Sequence, residues 1–227
     1  MLYSRKHSSR NHTIIVSIIF LAIVLFLMSV LLHNRFIRSA KAQEEVPVQG
    51  AIHNSIPKFI NAPNANYRAA QSRKIDTVVV HYMSAINVNP RSWADPKLSM
   101  DILKRYHVSA HYVVDRSGTV YRLVNEKNVA WHAGGSIMPS PDNRRNVNSF
   151  SVGIELIATD KSGFTDAQYK SLAYLIKGIE SRYPIKHIVG HDDIAGNRAI
   201  GLGLRKDLKE DPGPLFNWAR LHELLQQ

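Results

Sequence analysis

The chain has 227 residues, which is enough for one domain with a sizeable core and an appendage. It contains no cysteine, so disulfides and thiolate metal ligands are excluded, and any metal site must use His, Asp or Glu side chains. The formal net charge is +11, but residues 1–42 hold six basic residues and no acidic one. Residues 43–227 carry 23 basic and 18 acidic residues without a Lys/Arg run, which argues against nucleic acid as a partner.

The N-terminal part contains an uncharged apolar stretch at residues 13–32, about as long as a helix that crosses a bilayer. Basic residues before it favour a cytoplasmic tail and export of everything that follows. Residues 40–42 read Ala-Lys-Ala, a possible signal-peptidase site, although the apolar stretch is longer than a usual signal-peptide core. The sequence therefore predicts a transmembrane or signal helix and an extracytoplasmic domain. The domain would be anchored in the inner membrane facing the periplasm, or secreted to the periplasm if cleaved after Ala42.

The middle of the chain predicts a linker followed by strands and a short helix. Residues 43–61 contain two prolines and a glycine without a sustained hydrophobic period, which is typical of a linker. Residues 77–82 form a β-branched apolar run, as in a buried central strand, and 99–106 have the spacing of a short helix. Residues 111–115 and 119–123 flank a turn with a glycine and predict a β-hairpin.

The strand predicted at 151–157 organises the rest of the chain. Its apolar side chains share one face, which predicts core: Val152, Ile154 and Leu156. The opposite face carries Glu155 beside Ser151 and Gly153, which are too small to cover it and leave room for a substrate. A surface glutamate on a one-sided sheet is the alternative interpretation.

The C-terminal third predicts two more helices. Thr165 and Gln168 form a capping box that starts a helix over 166–182. Residues 192–210 predict a long loop, and 215–225 predict a closing helix. The predicted fold class is α/β, a single domain with a central mixed β-sheet flanked by helices, plus the N-terminal transmembrane or signal helix.

Two histidines and an aspartate are candidate metal ligands. His81 and His191 each follow an apolar strand, and Asp211 precedes a rigid Pro-Gly-Pro turn. Catalytic zinc sites use three such ligands and leave one position open for water. Glu155 is the acidic residue best placed to act as a general base. The alternative is that these histidines are structural, since the chain has eleven and a lone histidine is more often structural than a ligand.

Six segments in order carry a resemblance to a known family. They are A-P-N at 62–64 with Arg68 and I-D-T-V-V-V-H-Y at 75–82, V-S-A-H-Y at 108–112, A-W-H-A-G at 130–134, S-V-G-I-E-L at 151–156, G-H-D-D-I-A at 190–195, and D-P-G-P at 211–214 with Phe216 and Trp218. Together they resemble the zinc-dependent N-acetylmuramoyl-L-alanine amidases of the type 2 family. That group includes the AmpD and AmiD amidases and the peptidoglycan recognition proteins.

The resemblance implies that residues 62–227 form a type 2 amidase domain that cleaves the amide between N-acetylmuramic acid and L-alanine of the stem peptide. It implies that zinc is held by three side chains: His81, His191 and Asp211. Glu155 matches the acid that activates the zinc-bound water, and Lys209 matches the lysine that stabilises the oxyanion.

The resemblance also implies that the substrate, peptidoglycan or muropeptides, is contacted by three residues: Tyr82, Trp131 and His132. For His132, and still more for His111, structural hydrogen bonding is the alternative. A non-catalytic membrane-tethered module that binds or senses peptidoglycan is the alternative function, although such relatives typically lose a ligand.

One departure from the family pattern is an insertion near 198–208, which separates His191 from Asp211 by twenty residues. Arg205 or Lys206 could then supply the oxyanion cation instead of Lys209. The loop 136–149 is also elongated and basic, and we expect both loops to border the substrate groove.

Overall fold

The computed structural model describes residues 56–227 of the chain. The strands in this range are β1 (Phe59–Asn61), β2 (Tyr67–Arg68), β3 (Thr77–Met83), β4 (Tyr112–Val114), β5 (Val120–Arg122), β6 (Val129–Ala130), β7 (Ser151–Ile157) and β8 (His187–Gly190). The α-helices are α1 (Pro96–Arg105), α2 (Asp166–Glu180), α3 (His191–Ala195), α4 (Asn197–Gly201) and α5 (Trp218–Gln226).

Six strands form the central sheet in the order β1-β5-β4-β7-β3-β8, and β2 pairs with β6 in a small antiparallel sheet. The hairpin β4–β5 is antiparallel, as its turn glycine predicts, whereas β7 pairs in parallel with both β3 and β4. The central sheet is therefore mixed. Its parallel strands β3, β7 and β8 end at the same edge, so the residues that follow them are brought together.

Both faces of the sheet are covered, so its strands are buried on two sides. One face packs against the apolar stripes of α2 and α5 through Val78 and Val80 of β3 and the apolar face of β7. The other face packs Val79 against Ile194 of α3, and Val113 against Leu103 of α1. Every residue of β7 is buried, which is more than its one-sided alternation predicted.

Helix α2 begins at the predicted capping box. The Gln168 backbone N–H donates to the Thr165 hydroxyl at 3.1 Å, and the Thr165 backbone N–H donates to Gln168 Oε1 at 3.0 Å. The Gln168 side chain is fully buried, and its amide also donates to the carbonyls of Ile157 at 3.0 Å and Val114 at 3.3 Å. This one side chain therefore ties the start of α2 to the ends of β7 and β4.

The largest differences from the sequence predictions concern three elements. Helix α1 begins at Pro96 because the Asp95 carboxylate caps the helix, accepting from the N–H of Lys97 at 2.8 Å. The predicted loop 192–210 contains α3 and α4, which at five residues each are too short to show a helical period. The closing helix begins at Trp218, where Asn217 provides the cap.

The predicted linker 43–61 lies mostly outside the described residues. Its last three residues are β1, which pairs in parallel with β5, so the sheet includes residues that composition assigned to the linker. Phe59 and Ile60 are half-buried, and the Phe59 ring packs on the core. A run of three residues is too short for its pattern to stand out from a linker.

The predicted N-terminal transmembrane or signal helix requires a correction. The fold prediction added this helix on the basis of residues 13–32, which lie outside the described residues. Within 56–227, no helix is both long enough and apolar enough to cross a membrane. The fold of the described residues is therefore α/β with a central mixed sheet, without the added helix.

Replacing Gln168 with Leu should lower the free energy of unfolding by about 2–4 kcal/mol, because each stranded buried polar group costs about 1–3 kcal/mol. The affected groups are the Thr165 N–H and the carbonyls of Ile157 and Val114. Urea denaturation measures the loss. The matched control is Glu180→Gln at the exposed end of the same helix, which should stay within about 0.5 kcal/mol of the unmodified protein. Equal losses in the two variants would contradict the role given to Gln168.

Candidate functional site

Two histidines meet at the carboxyl edge of β3 and β8. Val80 and Gly190 are register partners, so the next residue of each segment, His81 and His191, emerges beside the other. Their ring centroids are 4.5 Å apart, and both side chains are buried. The parallel pairing of the two strands thus brings together imidazoles that are 110 positions apart in the chain.

Asp211 completes a cluster of three candidate ligands. The Asp192 backbone N–H donates to the Asp211 carbonyl at 2.9 Å, which holds the Asp-Pro-Gly-Pro turn against the start of α3. Asp211 Oδ2 lies 3.1 Å from Nδ1 of His81 and 3.1 Å from Nδ1 of His191. One ligand atom from each of the three residues lies within 4.8 Å of the other two, which is the spacing of a metal site.

In both histidines, the contact of Nε2 shows which ring nitrogen carries the proton. The other nitrogen, Nδ1, then faces Asp211 unprotonated. His191 Nε2 lies 3.3 Å from the carbonyl oxygen of Ala133, which can only accept a hydrogen bond. His81 Nε2 lies 3.1 Å from Nδ1 of His132. We assign the proton to Nε2 in both rings, which leaves both Nδ1 lone pairs for a cation. A hydrogen-bonded far nitrogen of this kind is typical of metal-ligating histidines.

His132 continues this hydrogen-bond chain into the sheet. Its Nε2 lies 3.2 Å from the Ser151 hydroxyl, which in turn donates to the Val147 carbonyl at 2.7 Å. A Cβ on Gly153 would overlap the His132 ring. The small residues of β7 therefore make room for an imidazole rather than for a substrate, and that part of the interpretation of β7 was wrong.

Glu155 lies next to His81 because the two residues are register partners in β7 and β3. Its side chain is only 8% exposed, and its Oε2 is buried without a hydrogen-bond partner. Burial, together with the negative charge of Asp211, raises the pKa of Glu155 to about 8. A carboxyl group with an unpartnered oxygen and a raised pKa inside a cavity is a candidate for proton transfer.

The protonation states of the cluster suit a cation. Burial, reinforced by the neighbouring His191, lowers the pKa of His81 to about 4, so this ring is neutral near pH 7. Burial alone would raise the pKa of Asp211, but the adjacent rings of His191 and His81 lower it well below its usual range. Metal ligands must be deprotonated, and His81 and Asp211 meet that condition at neutral pH.

A cavity of about 340 Å³ opens over the cluster. Its lining includes all of the predicted site residues: Tyr82, Trp131, His132, Glu155, Lys209, and the three candidate ligands. Trp131 is 37% exposed and Tyr82 is half-buried, so both present surface to the cavity. His132 is 9% exposed, and its ring nitrogens are hydrogen-bonded to His81 and Ser151, as its structural alternative predicts.

Sequence reasoning missed several residues of this cavity, including Leu103, Val108 and Asn148. Asn148 Oδ1 accepts from the backbone N–H groups of His132 and Ala133, at 3.1 and 2.8 Å, and so shapes the Trp-His-Ala-Gly segment. An asparagine within a polar loop gives no sequence signal for such a role.

The two loops that were expected to border the substrate groove contribute differently to the lining of the cavity. Arg205 and Lys209 from the insertion region line the cavity, whereas Lys206 does not. The loop 136–149 contributes only Asn148 to the lining. The basic character of that loop is largely accounted for by Arg144, which forms ion pairs with Asp76 at 3.0 Å and Asp142 at 2.7 Å.

His111 lies behind the cavity and is structural. Its Nδ1 accepts from the Gly153 backbone N–H at 3.0 Å, so its proton is on Nε2, which donates to the Asn128 carbonyl at 3.2 Å. Complete burial, with the positive charge of Arg73 nearby, lowers the pKa of His111 to about 3. The structural alternative given for this residue is the one that the structure supports.

Comparison with known proteins assigns the chain to a family. Residues 71–214 match the family described as N-acetylmuramoyl-L-alanine amidase, which covers well over half of the chain. The chain therefore belongs to this family, and the resemblance seen in the six sequence segments is confirmed.

Individual relatives agree with this assignment. The 1,6-anhydro-N-acetylmuramyl-L-alanine amidase AmpD of Escherichia coli is 40% identical over 122 residues, which is 53% of this chain and 60% of that protein. The chain thus spans about three fifths of the length of this relative. A crystal structure of a selenomethionine derivative of AmpD matches with a TM-score of 0.58 and 32% identity over 76% of this chain and 97% of that one.

A second solved structure contains a ligand. It is the amidase AmiD from E. coli in complex with the substrate anhydro-N-acetylmuramic acid-L-Ala-D-γ-Glu-L-Lys. It matches with a TM-score of 0.52 and 32% identity, covering 69% of this chain and 60% of that one.

The buried, neutral His111 should make the protein less stable in acid. Its pKa is lower in the folded state than the usual 6.5, so the unfolded state binds the proton first as the pH falls. Replacing His111 with Gln removes this titration. The variant should be less stable at pH 8, but its deficit should shrink below about pH 6.5, by up to about 1.4 kcal/mol per pH unit.

Urea denaturation of both proteins at pH 5, 6, 7 and 8, with a chelator present throughout, measures this difference. The chelator keeps metal binding from contributing to the pH dependence. A difference in unfolding free energy that stays constant from pH 8 to pH 5 would contradict a neutral, buried His111.

Proposed function

We propose that the chain is a zinc-dependent amidase that hydrolyses the amide between N-acetylmuramic acid and L-alanine of the stem peptide. The observation that carries this proposal is the convergence of His81, His191 and Asp211 in one cavity with the unpartnered carboxyl group of Glu155. Family membership supports the same reaction. The ligand seen with E. coli AmiD contains this amide, which supports muropeptides as the substrate class.

The donor set fits zinc better than magnesium or calcium. Two imidazoles and one carboxylate are characteristic of catalytic zinc sites, whereas the harder cations prefer oxygen ligands alone. Each imidazole has its second nitrogen hydrogen-bonded, so the ring orientation is set before the cation binds. When bound, zinc would supply Lewis acidity that polarises the scissile carbonyl and makes a water molecule more acidic.

Glu155 is proposed as the group that moves the proton. It would take a proton from the attacking water and deliver it to the nitrogen of L-alanine as the amide bond breaks. Its Oε2 has no protein partner that would compete for this proton. Without a cation its pKa is about 8, and a positive charge beside it would favour the ionised form that a general base requires.

Lys209 is proposed as the cation that stabilises the developing oxyanion. It lines the cavity, and its backbone N–H donates to the Ala195 carbonyl at 3.3 Å, which fixes this end of the insertion to α3. Such a donor is often worth about 10²–10³-fold in rate. Lys206, the other candidate raised by the insertion, is exposed and lies outside the cavity lining.

The substrate contacts are proposed for Tyr82 and Trp131, which present surface to the cavity. His132 is better explained as a residue that orients His81, because its two ring nitrogens are used by His81 and Ser151. The alternative of a non-catalytic binding module is less favoured, because all three candidate ligands and Glu155 are present together. The extracytoplasmic location stays a prediction, since it depended on residues 13–32.

Digestion of purified peptidoglycan and of anhydro-muropeptides tests the proposed function. The protein should release free stem peptides that begin with L-alanine, identified by mass spectrometry. Activity should disappear with a chelator and return when zinc is added back. Binding of peptidoglycan without release of any stem peptide would instead favour the non-catalytic module.

Two substitutions separate metal binding from proton transfer. Glu155→Gln should keep the zinc content of the unmodified protein while lowering kcat by about 10²–10⁴-fold, the usual contribution of a positioned general base. His191→Ala removes a ligand and should lose both zinc and turnover. Atomic absorption and muropeptide turnover are measured on the same samples. Unchanged turnover in Glu155→Gln would mean that another group moves the proton.

A further inference from the structure

The insertion near 198–208 is fixed against the wall of the cavity. A Cβ on Gly135 would overlap the carbonyl oxygen of Leu204, so the insertion backbone packs directly on the segment that follows Trp131-His132. Arg198 Nη1 donates to the Met138 carbonyl at 2.8 Å, which ties the other end of the insertion to the loop that follows Gly135. The side chains that the insertion places in the cavity are therefore held in position.

Arg205 is the side chain that the insertion adds to the cavity lining, and it directly follows Leu204, the residue that approaches Gly135. Its Nε donates to the Asp207 carbonyl at 2.5 Å, which fixes the plane of the guanidinium. Its Nη1 is buried and has no hydrogen-bond partner. Among the ion pairs of residues 56–227, none includes Arg205.

An unpartnered buried donor on a charged group is costly, so its persistence beside a cavity points to a ligand that completes it. With Nε already used, the free edge of the guanidinium is the pair Nη1 and Nη2. That planar pair matches the two oxygens of a carboxylate, with which arginine forms its most directional contacts.

We propose that Arg205 is a specificity-determining residue that binds a carboxylate of the stem peptide. This inference rests on the proposed amidase function, with Lys209 serving the oxyanion. In a stem peptide joined through the γ-carboxyl of D-Glu, the α-carboxylate of that residue is free. An extended residue spans about 3.5 Å, so this carboxylate lies within about 7 Å of the scissile amide, a separation that fits the cavity.

The test compares four N-acetylmuramoyl-L-Ala-D-γ-Glu-L-Lys substrates. The D-Glu α-carboxyl is free or carboxamide, and the C-terminal carboxyl is free or carboxamide, so the two possible carboxylates are varied independently. The full-length variants are Arg205→Gln and the matched control Lys206→Gln, which removes the same charge from the next residue outside the cavity lining. Zinc content and thermal unfolding of each variant check that the fold and the metal site are intact.

The unmodified protein should prefer a free carboxylate over its carboxamide by about 10–100-fold in kcat/KM, the range of a charge-assisted hydrogen bond. Arg205→Gln should lose this preference through a higher KM, with kcat within about threefold, whereas Lys206→Gln should keep it. Arg205→Lys, which retains charge but not the planar pair, should lie between the two and provides a second variant if Arg205→Gln folds poorly. The carboxylate whose replacement by a carboxamide lowers kcat/KM is the one that Arg205 binds.

Three results would overturn the inference. The first is that Arg205→Gln retains the preference for a free carboxylate over its carboxamide. The second is that Lys206→Gln loses this preference as fully as Arg205→Gln does. The third is a fall in kcat at constant KM, which would assign Arg205 to the oxyanion instead. In each case the unmodified protein still cleaves the substrates. Failure of the unmodified protein to cleave any of the four would overturn the amidase function itself, and the inference with it.

Discussion

The register between the parallel strands β3, β7 and β8 is the constraint on which the site depends. It pairs His81 of β3 with Glu155 of β7, and Val80 of β3 with Gly190 of β8. His191, the residue after Gly190, therefore lies beside His81. A shift of one residue would move every side chain of a strand to the opposite face. The two-sided core prevents such a shift, because Val78 and Val80 face one cluster of apolar side chains and Val79 the other.

The polar side of the sheet is stabilised by a chain of hydrogen bonds between groups that remain neutral. His81, His132 and Ser151 form successive contacts of 3.1–3.2 Å, and the chain ends at the Val147 carbonyl. At its other end, the unprotonated Nδ1 of His81 faces the ionised Asp211 carboxylate. Burying this many imidazoles is tolerable because the protonated nitrogen of each ring has a hydrogen-bond acceptor. The same partners fix the tautomers, so cation binding would require little rearrangement of the ligands.

Much of this arrangement could be predicted from the sequence, because its signals are local. The strand runs that end in histidine, the Thr165–Gln168 capping box and each of the six segments are recognised from a few neighbouring residues of the chain. The packing of one element on another could not be predicted in this way. The interpretation of Ser151 and Gly153 as space for a substrate was wrong, because the occupant, His132, comes from a segment whose position depends on Asn148.

The same distinction explains why the sequence indicated an insertion but could not separate its candidate cations. Spacing shows that residues were added between His191 and Asp211, but it does not show which of Arg205, Lys206 and Lys209 faces the cavity. The structure separates them, because Arg205, next to the contact between Leu204 and Gly135, lines the cavity, whereas Lys206 is exposed. Lys209 is held near α3 by its own backbone hydrogen bond. Two cations therefore line the cavity, which allows one to serve the reacting carbonyl and the other to select the substrate.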